Sequence, residues 1–366
     1  MGKDPCFRHC GSTCVIAVIC GALLCSTTRT LAGVNWTEIS VDSSSSLHAA
    51  VSIANGQGRT IISLEAGEYR ISSVLRIDGD YITLRSAHGN PDEVKISGGG
   101  MRSTPNVNNL VEVSGSHVTI TGVTLQEAGN HLVQLRGERD ADYFTLTNSV
   151  LRNSFQQLLK VSSEPDSVPS ADFGVVRNTD FYYSEELGPN FYIGGIDLHG
   201  GKDWLIEGNR FRNIASPARQ AAEHAIHVWK GSAGNVVREN LIVNCDRGIG
   251  FGLSADRRYH NYGGLIKDNV IIHSRRDDPY SDVGIVLEGS PGTAVSGNYV
   301  HLAHVYPNGI EYRFKETVDV VVSGNISNKS IASRDGARAV MLDNRYSSRL
   351  QKAWDYVGLF VRKWGQ

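Results

Sequence analysis

The sequence predicts an all-β fold, a parallel β-solenoid with coils of roughly thirty residues. Two internal repeats carry that reading. First, an asparagine follows a short β-rich run again and again: "FTLTN" ends at Asn148, "FGVVRN" at Asn178, "WLIEGN" at Asn209 and "NVVREN" at Asn240. "GLIKDN" then ends at Asn269, "TAVSGN" at Asn298 and "VVVSGN" at Asn325, with 27 to 31 residues between successive copies. Second, each unit holds a segment whose apolar residues alternate, as in Ile196 and Leu198, Ile226 and Val228, Ile249 and Phe251, or Ile285 and Leu287. A period of two is the signature of a strand with opposite faces. One coil cannot bury its apolar face alone, but stacked coils share a continuous core.

The elements follow in order. Lys3 and Arg8 precede an apolar run from Cys14 to Leu24, and small residues follow to "TLAG". This is the layout of a secretory signal over residues 1–32, which implies a secreted or periplasmic protein. The apolar run falls short of the roughly 20 residues that span a membrane. Leu24 before Cys25 is too large for the usual lipoprotein pattern. Five of the six cysteines lie in this leader, so the mature chain, with Cys245 alone, forms no internal disulfide. Cys245 itself reads as a small buried apolar residue.

The solenoid domain is expected over 33–346. "SLHAAVSIA" (46–54) has helical apolar spacing and is placed as the N-terminal cap; "RTIISLEAGEYRIS" (59–72) enters the first coil. Beyond it, Leu350, Trp354, Val357 and Val361 recur at helical intervals, so 347–366 is expected to form an amphipathic C-terminal helix that covers the last coil. The recurring asparagines are structural: at a tight turn the amide bonds backbone and tolerates a left-handed conformation, and stacked turns lay one amide over the next.

Side chains between the apolar positions point outward and form two columns. One reads Gln134, Lys160, Asp197, His227, Gly250, Val286, Glu311, Met341; the other reads Arg136, Ser162, His199, Trp229, Gly252, Glu288, Arg313, Asp343. Asp197 and His199 share one strand face, with His227 and Trp229 expected one coil above, about 5 Å away, and Lys160 one coil below. Gly250 and Gly252 are expected to open room for a ligand against the backbone. Glu288, Glu311 and Arg313 extend the polar track, giving a groove suited to a linear polymer. Arg257, Arg258, Arg275 and Arg276 read as solvated loop charges with the fork geometry that grips oxyanions. Charge is nearly balanced, 36 Lys+Arg against 38 Asp+Glu, which argues against a nucleic-acid partner.

On these residues the chain resembles right-handed parallel β-helix proteins of the pectate-lyase-like superfamily, from about Glu38 to Asn344. "GIDLHG" (195–200) is similar to the Asp-Pro-His motif of mannuronan C5-epimerases, keeping Asp197 and His199, with Leu198 for the proline and Gly200 for a second acidic residue. "AEHAIHVWKGSAGNVVREN" (222–240) looks like the catalytic stretch of chondroitinase-B-like and alginate lyases. In those, a Glu-x-Glu pair binds Ca2+ and a lysine follows as base. Glu223 and Lys230 match, and Ala225 replaces the second glutamate; the lyases' arginine falls near Gly252, with Arg247 the nearest substitute.

The resemblance implies a linear acidic polysaccharide as partner and C5 proton abstraction from a uronic acid, ending in β-elimination or epimerisation. His199 or Lys230 would be the base, which needs a pKa near working pH. His227 would be a second acid/base, Asp197 would orient His199 or help bind substrate, and Lys160 or Arg313 would neutralise charge. Trp229, Glu288, Glu311 and Arg247 would bind substrate, and Glu223 a metal. Two other readings stand beside this one: a glycan-binding or surface-structural solenoid, and a glycoside hydrolase. The hydrolase needs two carboxylates about 5–9.5 Å apart, whereas Asp197 lies at least two coils from Glu288 or Glu311.

Overall fold

The computed structural model describes residues 14–19, 22–31, 34–102, 107–163, 169–349 and 358. Among these, three long sheets wrap one core. They contain 14, 11 and 10 strands, and from the strand Val34–Val41 onward every pairing in them is parallel. Successive visits to a sheet pair one coil with the next, as Gly194–His199 pairs with His224–Trp229 and that with Arg247–Gly252. This is a parallel β-helix. Inward Ile196, Ile226, Ile249, Ile285 and Ile310 are fully buried in a single file. Tyr183, Phe181, Phe211 and Trp204 fill wider parts of the core, with Phe181 and Phe211 stacked at 4.7 Å.

The N-terminal cap forms as expected. The helix Ser44–Gln57 begins at Ser43, whose hydroxyl accepts from the Ser46 amide while Ser46 caps back, and it buries Leu47, Ala50, Val51 and Ala54. Cys14–Ile19 and Ala22–Leu31, in the expected leader, form antiparallel strands added to Val34–Val41. The expected C-terminal helix lies outside the described residues from 350 on, apart from Gly358.

The asparagine repeat resolves into two columns one residue apart. Asn209, Asn240, Asn269, Asn298 and Asn325 are fully buried, and each Oδ1 from Asn240 to Asn344 accepts both the backbone and side-chain amides of the asparagine one coil before. The left-handed residue is the one preceding: Gly208, Glu239, Asp268, Gly297, Gly324 and Asp343. Asn148 and Asn178 belong to that second column, with φ of 50° and 52°, so Ser149 and Thr179 hold the ladder position in their coils. In sequence the two columns look alike because asparagine can do either job.

A further column was not foreseen. Tyr81, His117, Tyr143 and Phe173 all adopt positive φ and stack ring on ring at 4.4 to 5.0 Å. The last outward assignments also shift. The strand Ala339–Leu342, with Met341 in it and Asp343 just after it, pairs with Val320–Ser323 in the 14-stranded sheet, and Ala332 and Arg334 follow Glu311 and Arg313 instead. Alternation alone does not say which sheet a strand joins.

Candidate functional site

The site lies on the outer face of the 10-stranded sheet. Strand pairing aligns Lys160 with Asp197, Asp197 with His227, and His199 with Trp229. The long side chains converge because alternate residues share a face and adjacent coils sit about 4.8 Å apart. Lys160 Nζ donates to Asp197 Oδ2 and lies 2.7 Å from His199 Nε2. His199 Nε2 is 3.3 Å from Asp197 Oδ2, and the Trp229 indole N–H donates to Asp197 Oδ1 at 2.7 Å. Asp197 is thus the hub of a cation, an imidazole and an indole.

The cluster is well sheltered for an outward face: Lys160, Asp197 and His199 are 9%, 6% and 8% exposed. Burial opposes the Asp197 charge, but His199, Lys160 and His227 around it prevail and hold its carboxyl well below the usual range. Burial depresses the His199 pKa against the pull of Asp197, with Lys160 and Lys230 adding to the depression. His199 is therefore neutral near pH 7 and has a lone pair to offer. Lys230, at φ 61°, donates to the Ser163 carbonyl at 3.1 Å.

His227 lies one coil above Asp197, on the strand that carries Trp229. Its ring stacks on Trp229 at 5.1 Å, its Nε2 bonds the Gly252 carbonyl at 2.9 Å, and its Nδ1 faces Asp197 at 4.0 Å. Tyr259 approaches the Trp229 ring at 5.7 Å.

A cleft of about 250 Å³ continues the face toward the C-terminus, lined by His224, Arg247, Asp282, Glu288, Glu311 and Arg313 among others. Glu288 Oε1 accepts from Arg313 at 2.8 Å. Burial pushes the Glu288 carboxyl up to about 7, against the pull of Arg313 and Arg247. Arg247 is held by Asp282 at 3.1 Å. Glu311 is 1% exposed and already accepts from Tyr306, Asn308 and Arg334, so it braces the cleft wall.

The glycines do not open the backbone to a ligand. A Cβ on Gly250 would lie 2.6 Å from His224 Nε2, and one on Gly252 would lie 1.9 Å from the Glu288 carbonyl oxygen. The space above Gly250 is filled by the His224 ring, which the apolar alternation places inward. Its number has the parity of inward Ile226 and Val228, but it opens the strand and turns out over the missing side chain. Of the arginines read as solvated, Arg258 pairs with Asp256, while Arg275 bonds the Glu186 carbonyl and Asn213. Cys245 is buried, and burial raises its thiol to about 12.

Glu223 meets two nitrogen donors: Glu223, His224 and His227 bring one ligand atom each within 4.8 Å of one another. Calcium takes six to eight oxygens, and one carboxylate with two imidazoles is not that set. The residues present do not fit the calcium that the lyase resemblance implied.

A family model described as "Right handed beta helix region" matches residues 109–348. No curated protein sequence matches the chain. Among solved structures, an alginate lyase from Paenibacillus sp. str. FPU-7 superposes with TM-score 0.60 at 17% identity, over 82% of this chain and 98% of that one. A mannuronic acid specific polysaccharide family 6 lyase from human gut microbiota gives 0.51 at 15% identity, over 86% and 84%. A periplasmic alginate epimerase gives 0.45 at 13%, over 86% and 85%. Likeness at these identities establishes the fold alone. Among the described residues no helix is long and apolar enough to cross a membrane.

Proposed function

The chain belongs to the right-handed parallel β-helix family, and from that premise we propose that it acts on a linear acidic polysaccharide by removing the C5 proton of a uronic acid, as a lyase or a C5-epimerase. The observation that carries this reading is the sheltered Lys160–Asp197–His199 cluster on the sheet's outer face. A solvated solenoid surface has no use for an ammonium, a carboxylate and a neutral imidazole bonded together. The two superposing lyases named above, which act on alginate and mannuronic acid by their descriptions, support the substrate class.

In this reading the uronate carboxylate draws the Lys160 ammonium away from His199 Nε2. Neutralising that carboxylate acidifies C5, and the freed Nε2 lone pair takes the proton. For elimination, the C5–H electrons form the C4–C5 double bond as the C4–O bond breaks, and Lys230 gives a proton to the departing oxygen. For epimerisation, C5 is reprotonated on its other face. Lys230, close enough for its charge to depress His199, supplies that proton. Asp197 keeps the imidazole and ammonium in place, and His227 supports Trp229 by stacking on its ring. Arg313 and Arg247, each held by a carboxylate, offer guanidinium donors to neighbouring uronates along the cleft. Export through a leader over 1–32 belongs to the same proposal, checked by N-terminal sequencing of the exported protein.

The test is to substitute His199→Gln and Lys230→Met separately. Polymannuronate, polyguluronate and chondroitin are offered, reading unsaturated-uronate absorbance and C5 inversion by NMR. Loss of about 10²-fold or more in either variant is expected for a general acid or base. Wild-type binding without turnover on every polymer favours the glycan-binding reading. Unchanged turnover in both variants removes the assignment.

A further inference from the structure

In the 11-stranded sheet, the strand Val270–His273 ends at a buried imidazole. His273 is 1% exposed, and so is Asp246, which precedes the strand Arg247–Gly252. Asp246, His273 and Asp278 bring one ligand atom each within 4.8 Å of one another. Two of their buried atoms have no hydrogen-bond partner: Asp246 Oδ1 and His273 Nδ1. The other atoms of those groups are engaged. Asp246 Oδ2 accepts from the Ser216 and Ala222 amides, both at 2.8 Å. His273 Nε2 faces Asp278 Oδ2 at 3.3 Å and Ser281 Oγ at 3.1 Å.

We propose that Asp246 Oδ1 and His273 Nδ1 bind a structural divalent transition cation of the zinc class, with Asp278 holding the imidazole through its other nitrogen. Orphaned polar atoms at full burial are rare and call for a missing partner. Two buried carboxylates beside a single imidazole leave an excess of negative charge that burial makes costly. A divalent cation removes both problems together. One imidazole tautomer satisfies the arrangement: Nε2–H donates to Asp278, and the Nδ1 lone pair is left for the metal. Metal-bound imidazoles characteristically give their other N–H to a carboxylate. Mixed imidazole and carboxylate donors at about 2.0–2.2 Å suit zinc. Calcium's shell of six to eight oxygens does not suit this set.

The cation would fasten two loops that flank the cleft. Asp246 holds the segment 213–223 through Ser216 and Ala222, just before Glu223 and His224. Asp278 lies in the segment 274–282, which ends at Asp282, the partner of Arg247. This inference does not rest on the proposed reaction.

The purified full chain, stripped by chelator and dialysed, is titrated with Zn2+ by calorimetry and melted with and without it; Co2+ serves as a spectroscopic probe. Expected are one binding event, a higher Tm, and visible Co2+ bands. His273→Gln and Asp246→Asn should each weaken binding at least about tenfold and lose the bands. Asp246→Asn retains a carbonyl oxygen for the Ser216 and Ala222 amides, so it tests the metal without releasing the loop. His227→Gln should leave binding unchanged. No binding by the wild-type chain overturns the proposal, since a water or shared proton then fills the cluster. Binding that survives both substitutions overturns it too, and loss with His227→Gln moves the ion to the Glu223–His224–His227 group.

Discussion

The Trp229 indole N–H donates to Asp197 Oδ1 at 2.7 Å from one coil above. This bond uses an aromatic ring as a polar brace, and the same ring stacks on His227. Trp229→Phe keeps an aromatic ring over His227 and deletes the donor. A hydrogen bond to a charged group is worth about 1.5–3 kcal/mol. Denaturant unfolding of Trp229→Phe should show a loss in that range. No loss would mean that the indole N–H prefers water to Asp197.

Lys160 and Asp197 form an ion pair in which both side chains are nearly buried. Lys160→Met leaves the Asp197 carboxylate without its ammonium, which costs about 3–5 kcal/mol when a buried charge loses its partner. The double variant Lys160→Met with Asp197→Leu removes both charges and should recover most of that loss. Urea unfolding of the wild type, both single variants and the double variant closes the cycle. Equal stability of Lys160→Met and the wild type would show that the pair is solvated.

Glu288 gives the fold a pH dependence of known sign. Its carboxyl titrates at about 7 in the folded chain against an ordinary 4.5. A raised acid pKa favours the folded state while the group is protonated. That contribution is complete below about 4.5 and disappears as pH rises through about 7, a decline of about 3 kcal/mol. Glu288→Gln cannot ionise and should flatten this part of the profile. Tm measured from pH 4 to pH 8 for both proteins checks it; parallel curves would place the titration elsewhere.

What the sequence makes legible follows from what each signal encodes. The apolar alternation gave strand faces, so Lys160, Asp197, His199, His227 and Trp229 were stacked correctly from spacing alone. Glu288 over Gly252 and Arg313 over Glu288 were equally readable. His224 was not, because its position in the alternation points inward and only the empty side chain of Gly250 lets it turn out. The true role of Gly252 was hidden too, since a close backbone approach leaves no mark beyond the glycine. Met341 and Asp343 went to the wrong sheet because coil length shortens near the end, from Asn325 to Asn344. Asp246 escaped notice as a partner of His273 and Asp278 because it lies one coil earlier, and sequence distance hides a cluster that coiling creates.

Asn178 and Asn269 looked alike in sequence, and they should behave oppositely when replaced. Asn269 Oδ1 accepts from Asn240 N and Nδ2 at 3.0 and 2.9 Å, and its Nδ2 donates to Val237 O and Asn298 Oδ1, both at 3.0 Å. Asn269→Ala removes all four bonds at a fully buried position, and each stranded group costs about 1–3 kcal/mol. The expected loss is more than about 3 kcal/mol. Asn178 is exposed, with φ of 52° and a single long amide contact to Asn148 at 3.5 Å. Glycine adopts that backbone freely, so Asn178→Gly should shift stability by less than about 1 kcal/mol. Denaturant midpoints of the two variants give the comparison directly. Similar midpoints would mean that the buried asparagine column is no stronger than an ordinary turn, and that the coils are held in register by the apolar core alone.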